Sequence, residues 1–232
     1  MKVIICAGPP TSGKTTVLKQ TLKKLLQKGR KVAYFKIDVQ FANEDEEFKK
    51  ELKIPASKVY SGDLCPDHCN VIVMGDAMKW AEKKGSEILA VETAGLCLRC
   101  SPYIENSLGI VVLEATSGMN LPRKIGPMLT LADIAVVTKI DLVSQAEREV
   151  FRYNINDAAK VNIIETDALH GINIDRLVER IEESNETMPP LFLRGNPPVG
   201  TCTICVGKKE IGMEAHFGVL RTMENDLFYR GE

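Results

Sequence analysis

Along the chain, short unbroken apolar runs alternate with stretches in which apolar residues recur every three to four positions. Residues 3–7 (VIICA), 87–91 (EILAV), 109–115 (GIVVLEA), 134–138 (IAVVT) and 162–166 (NIIET) are runs of the first kind. Such runs fill parallel strands covered on both faces. Leu18, Leu22, Leu25 and Leu26 repeat on one face of a helix that Gly29 closes, and KVAYF at 31–35 follows as a strand, which makes a βαβ unit. Helical patterns return at 70–84, 144–159 and 172–184. Strands alternating with helices predict a doubly wound, mostly parallel α/β sheet with its ligands at the carboxyl ends of the strands. Two stretches break the rhythm. Residues 38–61 are polar and acidic without a core face and read as a loop. From Met188 onward, proline and glycine replace helical periodicity, so the expected organisation is an α/β domain over 1–187 and a small β-rich or metal-clasped extension over 188–232.

Composition changes this picture little. A chain of 232 residues, 44% of them hydrophobic, suits a self-sufficient core. Its 30 basic and 31 acidic residues give a formal net charge of −1, which leaves no electrostatic footprint for nucleic acid or for an anionic membrane. The opening MKVIICAGPP is apolar for about one strand's length, too short for a secretory or spanning segment, so the cytoplasm is the expected compartment. Seven cysteines without an export signal then point to thiols, metal ligands or redox chemistry before structural disulfides. Cys6 sits in the first apolar run and reads as core filling.

The stretch Gly8-Pro-Pro-Thr-Ser12-Gly13-Lys14-Thr15-Thr16 matches G-x-x-x-x-G-K-[ST] between a buried strand and a helix. There the glycines let the backbone wrap a phosphate chain, Lys14 reaches the β/γ-phosphates, and the Thr15 hydroxyl serves Mg²⁺. Glu92-Thr93-Ala94-Gly95 ends the strand at 87–91, with Glu92 where a further Mg²⁺-side carboxylate is needed and Gly95 free to offer its amide to the γ-phosphate. Thr138-Lys139-Ile140-Asp141 follows another strand in the form T-K-x-D. Its aspartate can accept from both N1–H and the 2-amino group of guanine, a donor pair adenine lacks, so GTP is expected over ATP. Asp167 and Ala168, after the strand at 162–166, stand where a backbone contact to the guanine oxygen is expected. Asp38 closes the second strand, either as a carboxylate for Mg²⁺ and the attacking water or as an ordinary turn residue.

These motifs resemble those of the nickel-insertion GTPases that mature urease and hydrogenase, within the P-loop metallochaperone GTPases whose third motif is Glu-x-x-Gly (CobW/HypB/UreG-type). The resemblance runs from about Val3 to Glu182 and rests on GPPTSGKT, Asp38, ETAG and TKID, on LPRKIGPMLTLAD at 121–133, and on LCPDH at 64–68, which is similar to a Cys-Pro-His metal motif with an aspartate inserted. It implies a GTP-dependent homodimer that delivers a metal to a client apo-metalloenzyme or accessory protein. It also implies that Cys65 and His68 ligate the cargo, while Asp38 and Glu92 serve Mg²⁺ and hydrolysis beside the catalytic Lys14 of the phosphate loop.

The remaining cysteines depart from that pattern. Cys69 follows His68, Cys97 and Cys100 form a C-x-x-C after ETAG, and Cys202 and Cys205 form another in the extension. With Cys65, His68 and Cys69, a soft N/S ligand set suits Ni²⁺, Zn²⁺ or Cu⁺, and Asp67 can orient an imidazole. The two C-x-x-C pairs fit a four-thiolate zinc site, a structural staple, an Fe–S cluster or a dithiol redox pair. His216 and His170 read as local structure. The leading expectation is a Mg²⁺-dependent GTPase that gates metal or metal-cofactor delivery. The alternative is an Fe–S-binding or zinc- and thiol-sensing GTP-dependent regulator of a partner protein. A small-molecule kinase is disfavoured by the guanine-reading T-K-x-D.

Overall fold

In chain order the elements are β1 (Lys2–Ala7), α1 (Lys14–Gln27), β2 (Val32–Asp38), α2 (Glu44–Leu52), β3 (Ala56–Tyr60), α3 (Pro66–Lys83), β4 (Ile88–Thr93), β5 (Leu108–Glu114), α4 (Leu121–Lys124), α5 (Pro127–Thr130), β6 (Ile134–Thr138), α6 (Gln145–Ala158), β7 (Asn162–Glu165) and α7 (Ile174–Glu183). The computed structural model describes residues 1–39, 42–61, 66–94, 101–196 and 209–212, and only the backbone of residues 66–68 and 71. The strands form one seven-stranded sheet in the order β3-β2-β4-β1-β5-β6-β7, with every pairing parallel. β1 is central, and the chain winds outward from it in both directions, which opens a crevice at its carboxyl end.

Strand periodicity divides the core in two. Within β1, Ile4 and Cys6 face one side while Val3, Ile5 and Ala7 face the other. The first side packs Tyr34, Leu18, Leu22 and Leu25 together with Phe48 of α2 and Ile174, Leu177, Val178 and Ile181 of α7. The second packs Phe35, Met74 of α3, Leu113 and Phe151 of α6. Each such aliphatic or aromatic side chain contributes about 1.5–3 kcal/mol on leaving water. Cys6 is fully buried, as core filling requires.

The loop expected over 38–61 is corrected by the structure: it contains α2 and β3. Acidic residues Glu44, Asp45, Glu46 and Glu47 fill the first turn of α2, where the helix dipole favours negative charge, so the segment looks like a solvated loop in sequence. Phe48 anchors it, stacked on Tyr34 with ring centroids 3.8 Å apart and planes 5° from parallel. β3 escapes notice because it is a five-residue edge strand paired only with β2. α3 also begins earlier than the expected residue 70, at Pro66, a residue suited to a first helical turn.

Past Met188 the chain returns to the core. Phe192 accepts from the Glu105 amide at 2.8 Å, and the Arg194 amide donates to the Tyr103 carbonyl at 2.9 Å. Leu193 is buried, and its amide donates to Lys209 at 2.7 Å. The Arg194 guanidinium donates to the Leu131 carbonyl (2.7 Å), the Asp133 carboxylate (2.8 Å) and the Ser107 carbonyl (2.6 Å). Gly109 leaves room for this clasp, since a Cβ there would stand 2.9 Å from the Tyr103 ring. Among the described residues no helix is long and apolar enough to cross a membrane.

Two expectations follow from this packing. Phe48→Ala should lower stability by about 3–5 kcal/mol, the usual range for emptying a buried aromatic site; a urea-melt loss below about 1 kcal/mol would show that α2 is not anchored through Tyr34. Arg194→Ala removes charge-assisted bonds to three acceptors, so it should cost about 1.5–3 kcal/mol and speed proteolytic cleavage near residues 188–196. An unchanged cleavage rate would count against the clasp.

Candidate nucleotide site

The six residues Gly8 to Gly13 connect β1 to α1. Gly8 has φ 151°, and a Cβ on it would meet the Val112 carbonyl oxygen at 2.3 Å, so the chain can leave β1 this way only as glycine. Gly13, at φ 92°, caps α1 without a side-chain hydrogen bond, and no acidic residue occupies the helix's first turn. The amides there face outward into a positive helix end, an arrangement that binds phosphate. Lys14 folds back over the loop, its ammonium donating to the Gly8 and Pro9 carbonyls at 2.9 Å each. Burial holds its pKa below the ordinary lysine range, with Glu92 opposing.

Beside this loop stands a cluster of charge. Alternation along β2 puts Tyr34, Lys36 and Asp38 on one face, and the parallel register sets Lys36 next to Glu92 of β4. Glu92 is 1% exposed. Its Oε1 accepts from Thr15 Oγ1 at 2.9 Å and from Lys36 Nζ at 2.6 Å, while its Oε2 accepts from the Tyr34 hydroxyl at 2.8 Å. Lys36 Nζ also lies 3.2 Å from Glu44 and 3.5 Å from Asp38. Burial opposes the charge on Lys36, but Glu92, then Glu44 and Asp38, hold its pKa above the ordinary range. For Tyr34, burial and then Glu92 push the phenol well up, so it remains a donor. Asp38 Oδ1 accepts from the Val39 amide at 2.7 Å. An open cleft of about 360 Å³ joins loop and cluster, lined by Gly13, Lys14, Thr15 and Thr16 on one side and Lys36, Asp38, Glu44 and Glu92 on the other.

Two further loops border α1. Thr138, the last residue of β6, donates its hydroxyl to the Ser12 carbonyl at 2.7 Å and so ties the T-K-x-D turn to the phosphate loop. Lys139 takes a left-handed conformation, φ 57°, and its ammonium pairs with Glu114 at the end of β5. Asp141 follows in an exposed 3₁₀ turn. After β7, Ala168 is buried and the Asp167 carboxylate accepts from the His170 amide at 3.2 Å and faces its Nδ1 at 2.5 Å. That contact, with a smaller effect from Asp141, raises the His170 pKa.

The structure brings Gly8, Ser12, Gly13, Lys14, Thr15, Thr16, Asp38 and Glu92 together, with Lys139, Asp141, Asp167 and Ala168 on the two adjoining turns. Sequence reasoning missed Tyr34, Lys36 and Glu44. The available signal was a lysine inside a strand covered on both faces, where an unpaired charge is untenable. Gly95, Cys65, Cys97, Cys100, Cys202, Cys205 and His216 lie outside the described residues, as does the side chain of His68. Cys69 is buried in the core on α3. Among the described residues, no group of three His, Cys, Asp or Glu side chains stands ready to hold a metal.

Comparison with known proteins bears on this geometry. A protein of Methanocaldococcus jannaschii, itself uncharacterized, is 44% identical over 235 residues, the whole of both chains. The urease accessory protein UreG 2 of Methylobacterium radiotolerans is 28% identical over 187 residues, covering 75% of this chain and 89% of its own. Among solved structures, the hydrogenase maturation factor HypB of Archaeoglobus fulgidus shares the fold with a TM-score of 0.62 at 19% identity, covering 78% of this chain and 89% of its own. HypB of Helicobacter pylori, solved in complex with nickel, gives 0.61 at 18% identity, covering 81% and 91%. Residues 2–164 match the model of the CobW/HypB/UreG nucleotide-binding domain, and the chain belongs to this family of P-loop GTP hydrolases.

Proposed function

We propose that this GTPase is Mg²⁺-dependent and that its nucleotide cycle gates delivery of a transition metal, nickel first, to a client apo-metalloenzyme or its accessory protein. The observation that carries the Mg²⁺ reading is the hydrogen bond from Thr15 to Glu92 across the phosphate cleft. Thr15, Asp38 and Glu92 supply oxygen donors only, the set a hard divalent cation prefers, so the residues fit the ion. When bound with nucleotide, Mg²⁺ would neutralise charge developing on the β- and γ-phosphate oxygens.

The chain's own residues would do the rest. The amides of the first turn of α1 hold the phosphates, and Lys14 exchanges the Gly8 and Pro9 carbonyls for phosphate oxygens. Asp38 orients the attacking water, and Asp141 reads guanine. Positioning and electrostatics supply nearly all of such catalysis, so slow intrinsic turnover, raised by dimer and client, is expected.

The delivery reading draws on the relatives' roles and on where the cysteine-bearing segments are anchored. β4, which carries Glu92, leads into the segment holding Cys97 and Cys100. Just beyond it, Pro102 accepts from the buried Asn70 side chain of α3 at 2.8 Å, and Tyr103 accepts from Arg194 of the extension. The described residues flanking three cysteine-bearing segments thus touch one another, next to a strand that ends at the nucleotide. This supports shared cargo chemistry within one chain.

Asp141→Asn removes an acceptor from both guanine donors, so kcat/KM for GTP should fall about tenfold to a hundredfold while weak ATP turnover stays unchanged; equal effects on the two nucleotides would refute guanine reading by this residue. For the cargo, metal and sulfide should be quantified per protomer after anaerobic purification, with and without a GTP analogue. Nucleotide-dependent nickel, lost in Cys65→Ala, is the expected result. Zinc that ignores both nucleotide and substitution would instead favour a thiol-sensing regulator.

A further inference from the structure

Lys36 has no assigned part in phosphate binding or guanine reading, yet it sits at the centre of the charge cluster. It is not one half of a simple ion pair. Its ammonium faces three carboxylates at once, Glu92 at 2.6 Å, Glu44 at 3.2 Å and Asp38 at 3.5 Å, with its side chain only 5% exposed. It also donates to the same Glu92 oxygen that accepts from Thr15. The carboxylates of Asp38 and Glu44, each 28% exposed, line the cleft alongside Lys14 and Thr15.

We propose that Lys36 is the resident cation of this site, a specificity-determining residue that meets the charge of Glu92, Glu44 and Asp38 and so makes divalent-cation binding conditional on nucleotide phosphate. Hard divalent cations are held by carboxylate charge and oxygen count. With an ammonium already among these carboxylates, a free ion gains too little from the protein alone. Nucleotide phosphates bring the missing oxygens and negative charge, and the ion enters with them. The arrangement has a use, because Asp38 and Glu44 line the open cleft and without the ammonium would offer their charge to divalent ions that arrive alone. A lysine suits the task better than an arginine pair would, since its compact charge is shared among acceptors in different directions.

The inference rests on the Mg²⁺ reading above, and one titration separates the two. Mn²⁺ binding is followed by the loss of its free-ion EPR signal, with and without guanosine 5′-(β,γ-imido)triphosphate, on the wild type, Lys36→Met and Lys36→Arg. Wild type should take up Mn²⁺ only with the analogue. Removing one unit charge a few ångströms away should raise nucleotide-free Mn²⁺ affinity of Lys36→Met by about tenfold to a hundredfold, while Lys36→Arg stays nucleotide-dependent. Should Lys36→Met fold poorly, Mg²⁺ should restore its melting temperature and EDTA lower it, with wild type indifferent to both. Failure of wild type to bind Mn²⁺ even with the analogue would overturn the Mg²⁺ reading itself. The Lys36 proposal alone is overturned by tight nucleotide-free binding in wild type, by a folded Lys36→Met without gain, by Lys36→Arg behaving like Lys36→Met, or by a Lys36→Met that Mg²⁺ does not rescue.

Discussion

Glu92 sits in an interior position, 1% exposed, where Thr15, Tyr34 and Lys36 all donate to it. An ionised carboxylate buried without such partners would surrender its charge or unfold its surroundings. Much of the site hangs on this convergence. Thr15 brings the first turn of α1, and therefore the phosphate loop, into register with β4. Tyr34 carries Phe48 on its ring and so positions α2. Lys36 extends the cluster to Glu44 in the first turn of the same helix. Removing one partner of a buried ion pair typically costs about 3–5 kcal/mol, more than any exposed ion pair on this surface would contribute.

Much of this was legible in sequence because the physics leaves few choices. A strand covered on both faces must be mostly apolar, as IAVVT and VIICA are. A turn on which any Cβ would stand 2.3 Å from another strand's carbonyl oxygen must begin with glycine, as Gly8 does. The reading failed where local and tertiary signals diverge. α2 buries Phe48 beneath a highly acidic first turn, so its composition advertises solvent while its position serves the core. β3 is short and at the sheet edge, where one neighbour strand suffices and little apolar periodicity is needed. Lys36 was passed over for the opposite reason, as a charge in an apolar run whose nearer two carboxylate partners in space, Glu92 and Glu44, lie 56 and 8 residues away in the chain.

The extension shows a comparable division of labour. Its proline and glycine content says only that it is not another βα unit. The guanidinium of Arg194, reaching Leu131, Asp133 and Ser107, supplies what composition lacks. Here the described residues around Arg194, without helical period or a long strand, are held by a few directional bonds to backbone carbonyls and one carboxylate, each stronger for being charge-assisted.

The short bond from Thr138 to the Ser12 carbonyl has a further implication. It pins the turn proposed to read the base to the loop proposed to hold the phosphates, so on that reading the two ends of a nucleotide are gauged against one another through a single bond. A ligand of the right span collects both sets of contacts without the protein having to reorganise. One with the wrong base, or anchored at only one end, forfeits that preorganisation as well as the missing contacts. On the proposed roles of these two loops, fidelity toward the nucleotide is written partly into a hydroxyl that need never touch it.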